Sequence, residues 1–156
     1  MTEPAQKATV YDFPDNGLQH IPAGEYELAF EYFEVRRIHR NTPKLVLWFR
    51  VVGPEHMGFQ VPAYFHLKPK AKHGTGRGAP FSVGKRSEFL RQYVQLFRTA
   101  PTRLDRIPMS VFNNQVIVAR VRLVKRNLLQ RDIPKPLQYN VVDEMLRLPK
   151  TRGLAG

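Results

Sequence analysis

KLVLWFRVV at residues 44–52 and FQVPAYFHLK at residues 59–68 are two apolar stretches joined by a short turn. Gly53-Pro54 and Met57-Gly58 bracket the turn, and Gly and Pro are typical of tight connections. Strand side chains alternate between the two faces of a sheet. The pattern predicts a β-hairpin whose two faces can be read from the parity of each residue.

The two faces of this hairpin differ sharply in composition. One parity is entirely apolar: Leu45, Leu47, Phe49, Val51, Phe59, Val61, Ala63, Phe65 and Leu67. The other is mixed: Lys44, Val46, Trp48, Arg50, Gln60, Pro62, Tyr64, His66 and Lys68. Flat rings flanked by cations favour the stacking of unpaired bases, with Lys and Arg holding the phosphates. The alternative is a second face that a loop or a partner chain covers.

Length and composition narrow the class of protein. At 156 residues the chain suits one domain whose core needs no disulfide or metal. It has no cysteine, which agrees with a reducing cytoplasm. No apolar run approaches the roughly 18 residues of a membrane span, and the first residues lack the apolar centre of a secretion signal. We therefore expect a cytoplasmic protein with no membrane partner.

Charge is the strongest compositional signal. The net charge is +12, and it is unevenly distributed. Residues 1–34 hold seven acids and one base, whereas residues 35–87 hold eleven bases and one acid. A strongly basic field favours a polyanion, and strands without a basic amphipathic helix are poor membrane anchors. Nucleic acid is the predicted partner.

The chain before the hairpin contains a loose tail and one long strand. Residues 1–20 are polar and punctuated by Pro and Gly, which is typical of a flexible N-terminal tail. The strand predicted from Glu25 to about Ile38 changes its apolar parity at Phe33, as a β-bulge would cause. Such a bend lets one strand belong to both halves of a small barrel. A basic stretch, 36–40, then leads into the hairpin.

After the hairpin come a basic loop, a helix and two more strands. Residues 69–80 predict a flexible loop that could close over phosphates or simply be solvated. Ser87 is a plausible N-cap of a helix that runs to Arg98, and its aromatic stripe is typical of core. Residues 115–126 predict a strand with its arginines facing outward. Residues 137–142 predict a short last strand that runs into a helical turn through Met145 and Leu146.

Together these elements predict a mainly β fold. The order is a long bent strand, two strands, a helix, a strand and a short strand, which is that of a five-stranded OB-fold barrel with its helix between strands 3 and 4. The expected boundaries are a flexible N-terminal tail at 1–20, an OB-fold nucleic-acid-binding domain at 21–148 and a basic C-terminal tail at 149–156.

The chain also resembles phage and mobile-element single-stranded DNA-binding proteins of the OB-fold class. The similarity lies in the run Pro22-Ala23-Gly24-Glu25-Tyr26, in Gly58-Phe59 and in Val116-Ile117-Val118-Ala119, and it extends to residues 137–142. The resemblance implies binding of single strands without sequence preference, during replication or recombination, in a bacterial cell. The chain departs from the bacterial single-strand binding proteins in its basic C-terminus, because those proteins recruit partners through an acidic tail.

An enzyme is not expected. Metal-dependent hydrolysis of nucleic acid needs clustered carboxylates, whereas Glu25, Glu27 and Glu31 are read as the solvated face of the first strand. The histidines show no zinc-ligand spacing, and no nucleophile stands in a recognisable setting. No cofactor and no metal are predicted.

Two functions remain after these considerations. The first is non-sequence-specific binding of single-stranded DNA, with RNA as an alternative ligand and a homo-oligomer compatible with it. The second is a dimerising accessory protein whose Trp48 and Tyr64 face is a protein interface. The residues predicted to bind nucleic acid are Arg36, Arg37, Arg40, Lys44, Trp48, Arg50, Tyr64, His66, Lys68, Lys70, Lys72, Arg77, Arg120 and Arg122.

Overall fold

A computed structural model describes residues 20–38, 42–69, 73–127 and 129–150. The predicted tails therefore lie almost entirely outside the described residues, as do three predicted contacts: Arg40, Lys70 and Lys72. The described chain is mainly β, with a six-stranded antiparallel sheet and a single α-helix. The predicted class is confirmed at this level.

The strands are β1 (Gly24–Ile38), β2 (Thr42–Val51), β3 (Gln60–His66), β4 (Gly76–Arg77), β5 (Val116–Val124) and β6 (Tyr139–Arg147). The helix α1 spans Glu88–Phe97, and short 3-10 turns cover Met109–Phe112 and Lys135–Leu137. The strands are ordered β3-β2-β1-β5-β6, and β4 pairs with β1 outside that path. The helix therefore follows a two-residue strand that the sequence did not predict.

The hairpin of β2 and β3 is present and has the predicted inner face. Its pairs run from Lys44 opposite His66 to Arg50 opposite Gln60. Every apolar residue of the inner parity is buried, apart from Phe59, which packs against the core from its edge. On the outer parity Val46 is also fully buried, because neighbouring side chains cover it.

The bulge in β1 lies earlier than predicted. The register with β2 shifts between Phe30 and Tyr32, so Glu31 is the extra residue. After it Phe33 packs against the core and Val35 is fully buried, as the change of parity required. The correction concerns Tyr32, which by simple alternation shares the face of Leu28 and Phe30. The bulge moves it to the outer face, opposite Trp48.

The helix closes the core as expected. The Ser87 hydroxyl accepts the Leu90 N–H at 3.1 Å, and Arg98 ends the helix in the left-handed region at φ 58°. Phe89 and Tyr93 are buried, and their rings contact the ring of Phe112. This aromatic cluster fills the space between the helix and the sheet.

The C-terminal prediction of a helical turn is wrong. Met145 and Leu146 belong to β6, which continues to Arg147 without a break. Two register shifts against β5 change the parity of the strand, so its apolar residues imitate helical spacing. Met145 is fully buried at the end of this irregular strand.

The sheet is open. Its edge strands β3 and β6 contact one another, but no hydrogen-bonded ladder joins them within the described residues. The closed barrel of the sequence prediction is therefore not shown, and the line between β3 and β6 is called the seam below. No helix in the described part of the chain is long and apolar enough to cross a membrane.

Candidate nucleic-acid interface

Three aromatic side chains lie on the outer face of the strands β1, β2 and β3. The register places Tyr32, Trp48 and Pro62 in one row across the three strands. The next row consists of Glu34, Val46 and Tyr64. We call Tyr32, Trp48 and Tyr64 the aromatic platform. Antiparallel pairing alone brings them together, although they are far apart in the sequence.

Trp48 is held on both sides. Its ring stacks beside that of Tyr32, with centroids 6.4 Å apart and an angle of 29° between the planes. Its indole N–H donates to Glu34 Oε2 at 2.7 Å. The side chain is partly buried rather than freely exposed. The predicted platform residue is therefore present on the outer face, in a fixed orientation.

Tyr64 is the most open ring of the platform, with 37% of its surface exposed. Burial of the rest raises the pKa of its phenol, and the nearby Arg36 guanidinium opposes that effect. Tyr139 and Glu34 raise the same pKa further. The Tyr64 phenol is thus influenced by a cation and a carboxylate on β1 and by the phenol of Tyr139 on β6.

Tyr32 is covered by a cation. The guanidinium carbon of Arg77 lies 3.8 Å from the centre of the Tyr32 ring, a close cation–π contact. Two features hold β4 in place: its pairing opposite Glu34 and Val35, and a hydrogen bond from the Gly78 N–H to the Phe33 carbonyl at 3.0 Å. The predicted basic loop thus contributes one fixed cation to the platform.

A row of basic side chains borders the platform. Arg36, Lys44 and His66 occupy neighbouring positions on the three strands, one row beyond Glu34 and Tyr64. Lys68 follows β3, and Arg37 follows Arg36 on β1. Arg36 also lies 3.3 Å from Glu34 Oε2. These sequence-predicted residues are brought together at one end of the sheet.

Two carboxylates lie within the same face. Glu34 has been described above, and Glu31 accepts from the Gln60 amide at 2.8 Å and lies 3.5 Å from Arg50. The sequence prediction grouped Glu31 with Glu25 and Glu27 as a solvated face. In the structure Glu25 and Glu27 are exposed, and Glu25 pairs with Arg147, whereas Glu31 is only partly exposed.

Arg120 and Arg122 lie apart from the platform. Arg120 is opposite Glu25 on β1, about 20 Å along that strand from Tyr32. Both arginines pair with Asp143, and Arg120 also contacts Glu144 at 2.8 Å. The Gln95 amide, Arg91 and Arg120 hold the pKa of the Glu144 carboxyl below its usual range, against the effect of burial. This is an ion-pair network that ties β5 and β6 to the helix.

Tyr32, Glu34 and Tyr139 belong to the site but were not among the predicted contacts. Tyr32 was missed because the bulge was placed after it. Glu34 could have been found from its position two residues beyond Tyr32, once the bulge was set correctly. Tyr139 begins β6, has 48% of its surface exposed and raises the pKa of the Tyr64 phenol, an influence between β6 and β3 that sequence periodicity does not predict.

The segment between β5 and β6 brings further basic and apolar groups near this end of β6. Leu129 and Leu137 are strongly exposed, with 71% and 66% of their surface accessible. The segment is held by a bridge between Arg126 and Asp132 and by the Asn127 side chain, which accepts two backbone N–H groups. Its other bases are exposed: Lys125, Arg131 and Lys135.

In the described ranges no group of three His, Cys, Asp or Glu side chains could hold a metal ion. Comparison with family models, curated proteins and solved structures returns no match to this chain.

Proposed function

We propose that this protein binds single-stranded DNA without strong sequence preference, in the replication or recombination of a phage or other mobile element. One observation carries the proposal: the rings of Tyr32, Trp48 and Tyr64 share an outer sheet face with a border of cations. Such a face offers both contacts that an unpaired strand needs, namely stacking for bases and charge for phosphates.

The strand would stack its bases on Trp48 and Tyr64, the two rings that no cation covers in the described structure. Arg36, Lys44 and Lys68 would hold phosphates along the border, and Arg77 would hold one above Tyr32. These cations outnumber Glu31 and Glu34, so the net field of the face favours a polyanion. Phosphate contacts carry no base information, and a ring accepts any base, so weak sequence preference follows.

The proposed fold is an OB-type barrel that is open at the seam. Its support is the path of the five long strands, β3-β2-β1-β5-β6, with the bulged β1 shared between both halves of the sheet. The OB-fold is itself a partly open barrel, and strands 2 and 3 carry its oligonucleotide face. The platform lies on β2 and β3 and on the adjoining part of β1, which matches that use.

The decisive experiment compares single strands with duplex. A 20-mer of mixed sequence, single-stranded or annealed, is titrated at 50 and 200 mM salt while the fluorescence of Trp48, the only tryptophan, is recorded. One stacked base contributes about 1–3 kcal/mol, so single strands should bind about tenfold or more tightly than duplex. Equal affinities with unchanged Trp48 fluorescence would exclude stacking and leave general attachment to phosphates.

A dimerising accessory protein is the second candidate. It is favoured by the exposed apolar side chains near the seam, Leu137 and Tyr139, beside which Tyr64 also lies. Apolar association barely weakens with salt, whereas binding to nucleic acid falls steeply with it. Sedimentation across protein concentration, with and without an oligonucleotide, separates the two candidates. The same titration with a single-stranded RNA of the same sequence tests whether the ligand is DNA or RNA.

A further inference from the structure

Glu34 is a carboxylate in the middle of a surface that is proposed to bind a polyanion. Its side chain is only 17% exposed, and it lies between Arg77 on β4 and Val46 on β2. A negative charge at this position repels phosphates. It therefore weakens binding unless the carboxylate also makes contacts that favour binding and that a neutral residue would not make as well.

The contacts of Glu34 indicate what that is. Its Oε2 accepts the Trp48 indole N–H at 2.7 Å and lies 3.3 Å from Arg36 Nε. An indole N–H can only donate, and a partly buried one needs an acceptor. A hydrogen bond to a carboxylate is stronger than one to a neutral group. The same oxygen thus orients one ring and one cation.

We propose that Glu34 is a positioning residue for single-strand binding, which fixes the Trp48 ring and the Arg36 guanidinium relative to each other. The inference rests on the proposed function and deepens it. A base on Trp48 and a phosphate at Arg36 would then meet a surface that is already in place. Affinity is gained because side-chain freedom is lost before binding rather than during it.

Two substitutions separate positioning from charge. Glu34→Gln and Glu34→Ala remove the same negative charge, but only the glutamine retains an oxygen that can accept the indole N–H. If charge alone matters, both variants bind single strands equally and more tightly than the wild type. If positioning matters, Glu34→Ala binds about fivefold more weakly than Glu34→Gln, the equivalent of one hydrogen bond.

Three further measurements complete the test. Fluorescence anisotropy of Trp48 in the free protein should be lower in Glu34→Ala than in Glu34→Gln, because the ring turns more freely. The dependence of affinity on salt should be the same in both, because both keep the same set of cations. In a Trp48→Phe background, which has no indole N–H, the part of the difference that comes from orienting the ring should disappear, and only the contribution of Arg36 should remain. A difference that is undiminished there would overturn the proposal.

The outcomes distinguish this inference from the proposed function. If the wild type prefers single strands but the two Glu34 variants bind alike, the function stands and the positioning role is wrong. If the wild type shows no preference for single strands, both fall. Should Glu34→Ala unfold, Glu34→Leu in the same Trp48→Phe cycle replaces it, since leucine is close to glutamate in size and has no acceptor.

Discussion

The Arg77 guanidinium lies over the Tyr32 ring, 3.8 Å from its centre. One residue comes from a two-residue strand in a basic loop, and the other from the bulged part of β1. The contact covers the Tyr32 ring and at the same time fixes a positive charge at the edge of the platform. Tyr32 therefore acts as a support for a cation, whereas no cation covers the rings of Trp48 and Tyr64 in the described part of the chain.

Replacing Arg77 should weaken binding through charge. Arg77→Gln removes one fixed cation, so we expect affinity for every single-stranded sequence to fall alike and the salt slope to decrease by about one. Arg103→Gln is the matched control, because Arg103 pairs with Asp105 in a loop away from the platform. Titrations at several salt concentrations check this. Equal effects of both variants would show that only the overall charge matters.

Replacing Trp48 should weaken binding through stacking. Trp48→Ala should cost about 1–3 kcal/mol of single-strand affinity, whereas Trp48→Phe keeps a ring and should lose less. Because Trp48 is partly buried and bonded to Glu34, Trp48→Ala should also lower the free energy of unfolding by about 1 kcal/mol. Binding isotherms and urea unfolding measure the two effects separately. Loss of stability without loss of affinity would place the bound strand elsewhere.

Much of the site follows from periodicity, and what does not follow has a physical cause. The faces of β2 and β3 could be read from parity because a regular strand alternates strictly. The face of Tyr32 could not be read in this way. A bulge shifts the parity of β1, and the apolar residues on both sides do not reveal at which residue the shift occurs. The helical turn predicted near Met145 failed for the same reason, because two register shifts disturb β6.

Contacts across the sheet are harder still to predict. Arg120 and Arg122 face outward from β5 as expected, but the sequence does not reveal that Asp143 and Glu144 neutralise them from β6. The short β4 strand and the contact of Arg77 depend on how a loop folds back on β1. The bulge and the fold of this loop thus place Tyr32 and Arg77 together, and three ion pairs engage the arginines that lie apart from the platform.

The Glu144 network predicts a dependence of stability on acid. The pKa of Glu144 is lowered in the folded protein, first by the hydrogen bond from Gln95 and then by Arg91 and Arg120. Its stabilisation is therefore complete above the unfolded pKa, about 4.3, and is lost as pH falls through the folded value. Glu144→Gln should cost less than about 1 kcal/mol at pH 7, because the group is partly solvated.

Thermal unfolding between pH 7 and pH 2 checks this prediction. The wild type should lose its advantage over Glu144→Gln as the pH falls below 4, so that the two melting curves converge. Asp105→Asn is the control for the loss of one carboxylate outside the network, because Asp105 is exposed and pairs with Arg103 in its own loop. The affinity for single strands is a separate readout. At high salt it should stay near the wild-type value in both Asp105→Asn and Glu144→Gln. Melting temperatures that stay equally far apart down to pH 2 would show that the difference does not come from the negative charge of Glu144.

The last prediction concerns the seam, where the two candidate functions give different results. Tyr139 begins β6, is 48% exposed and lies close enough to Tyr64 to raise the pKa of its phenol. A strand that leaves Tyr64 can stack its next base on Tyr139, so Tyr139→Ala should weaken single-strand binding by about 1–3 kcal/mol. Leu137→Ala removes exposed apolar area two residues away, without a ring, and should change the affinity little.

A protein interface at the seam would respond differently. Both substitutions would then weaken self-association in sedimentation, in proportion to the apolar area removed, with little dependence on salt. Single-strand affinity measured below the association concentration would be unchanged in both. Because both residues are exposed but only Tyr139 carries a ring, an effect confined to Tyr139→Ala indicates stacking. An effect shared by both indicates that the seam joins two copies of the chain.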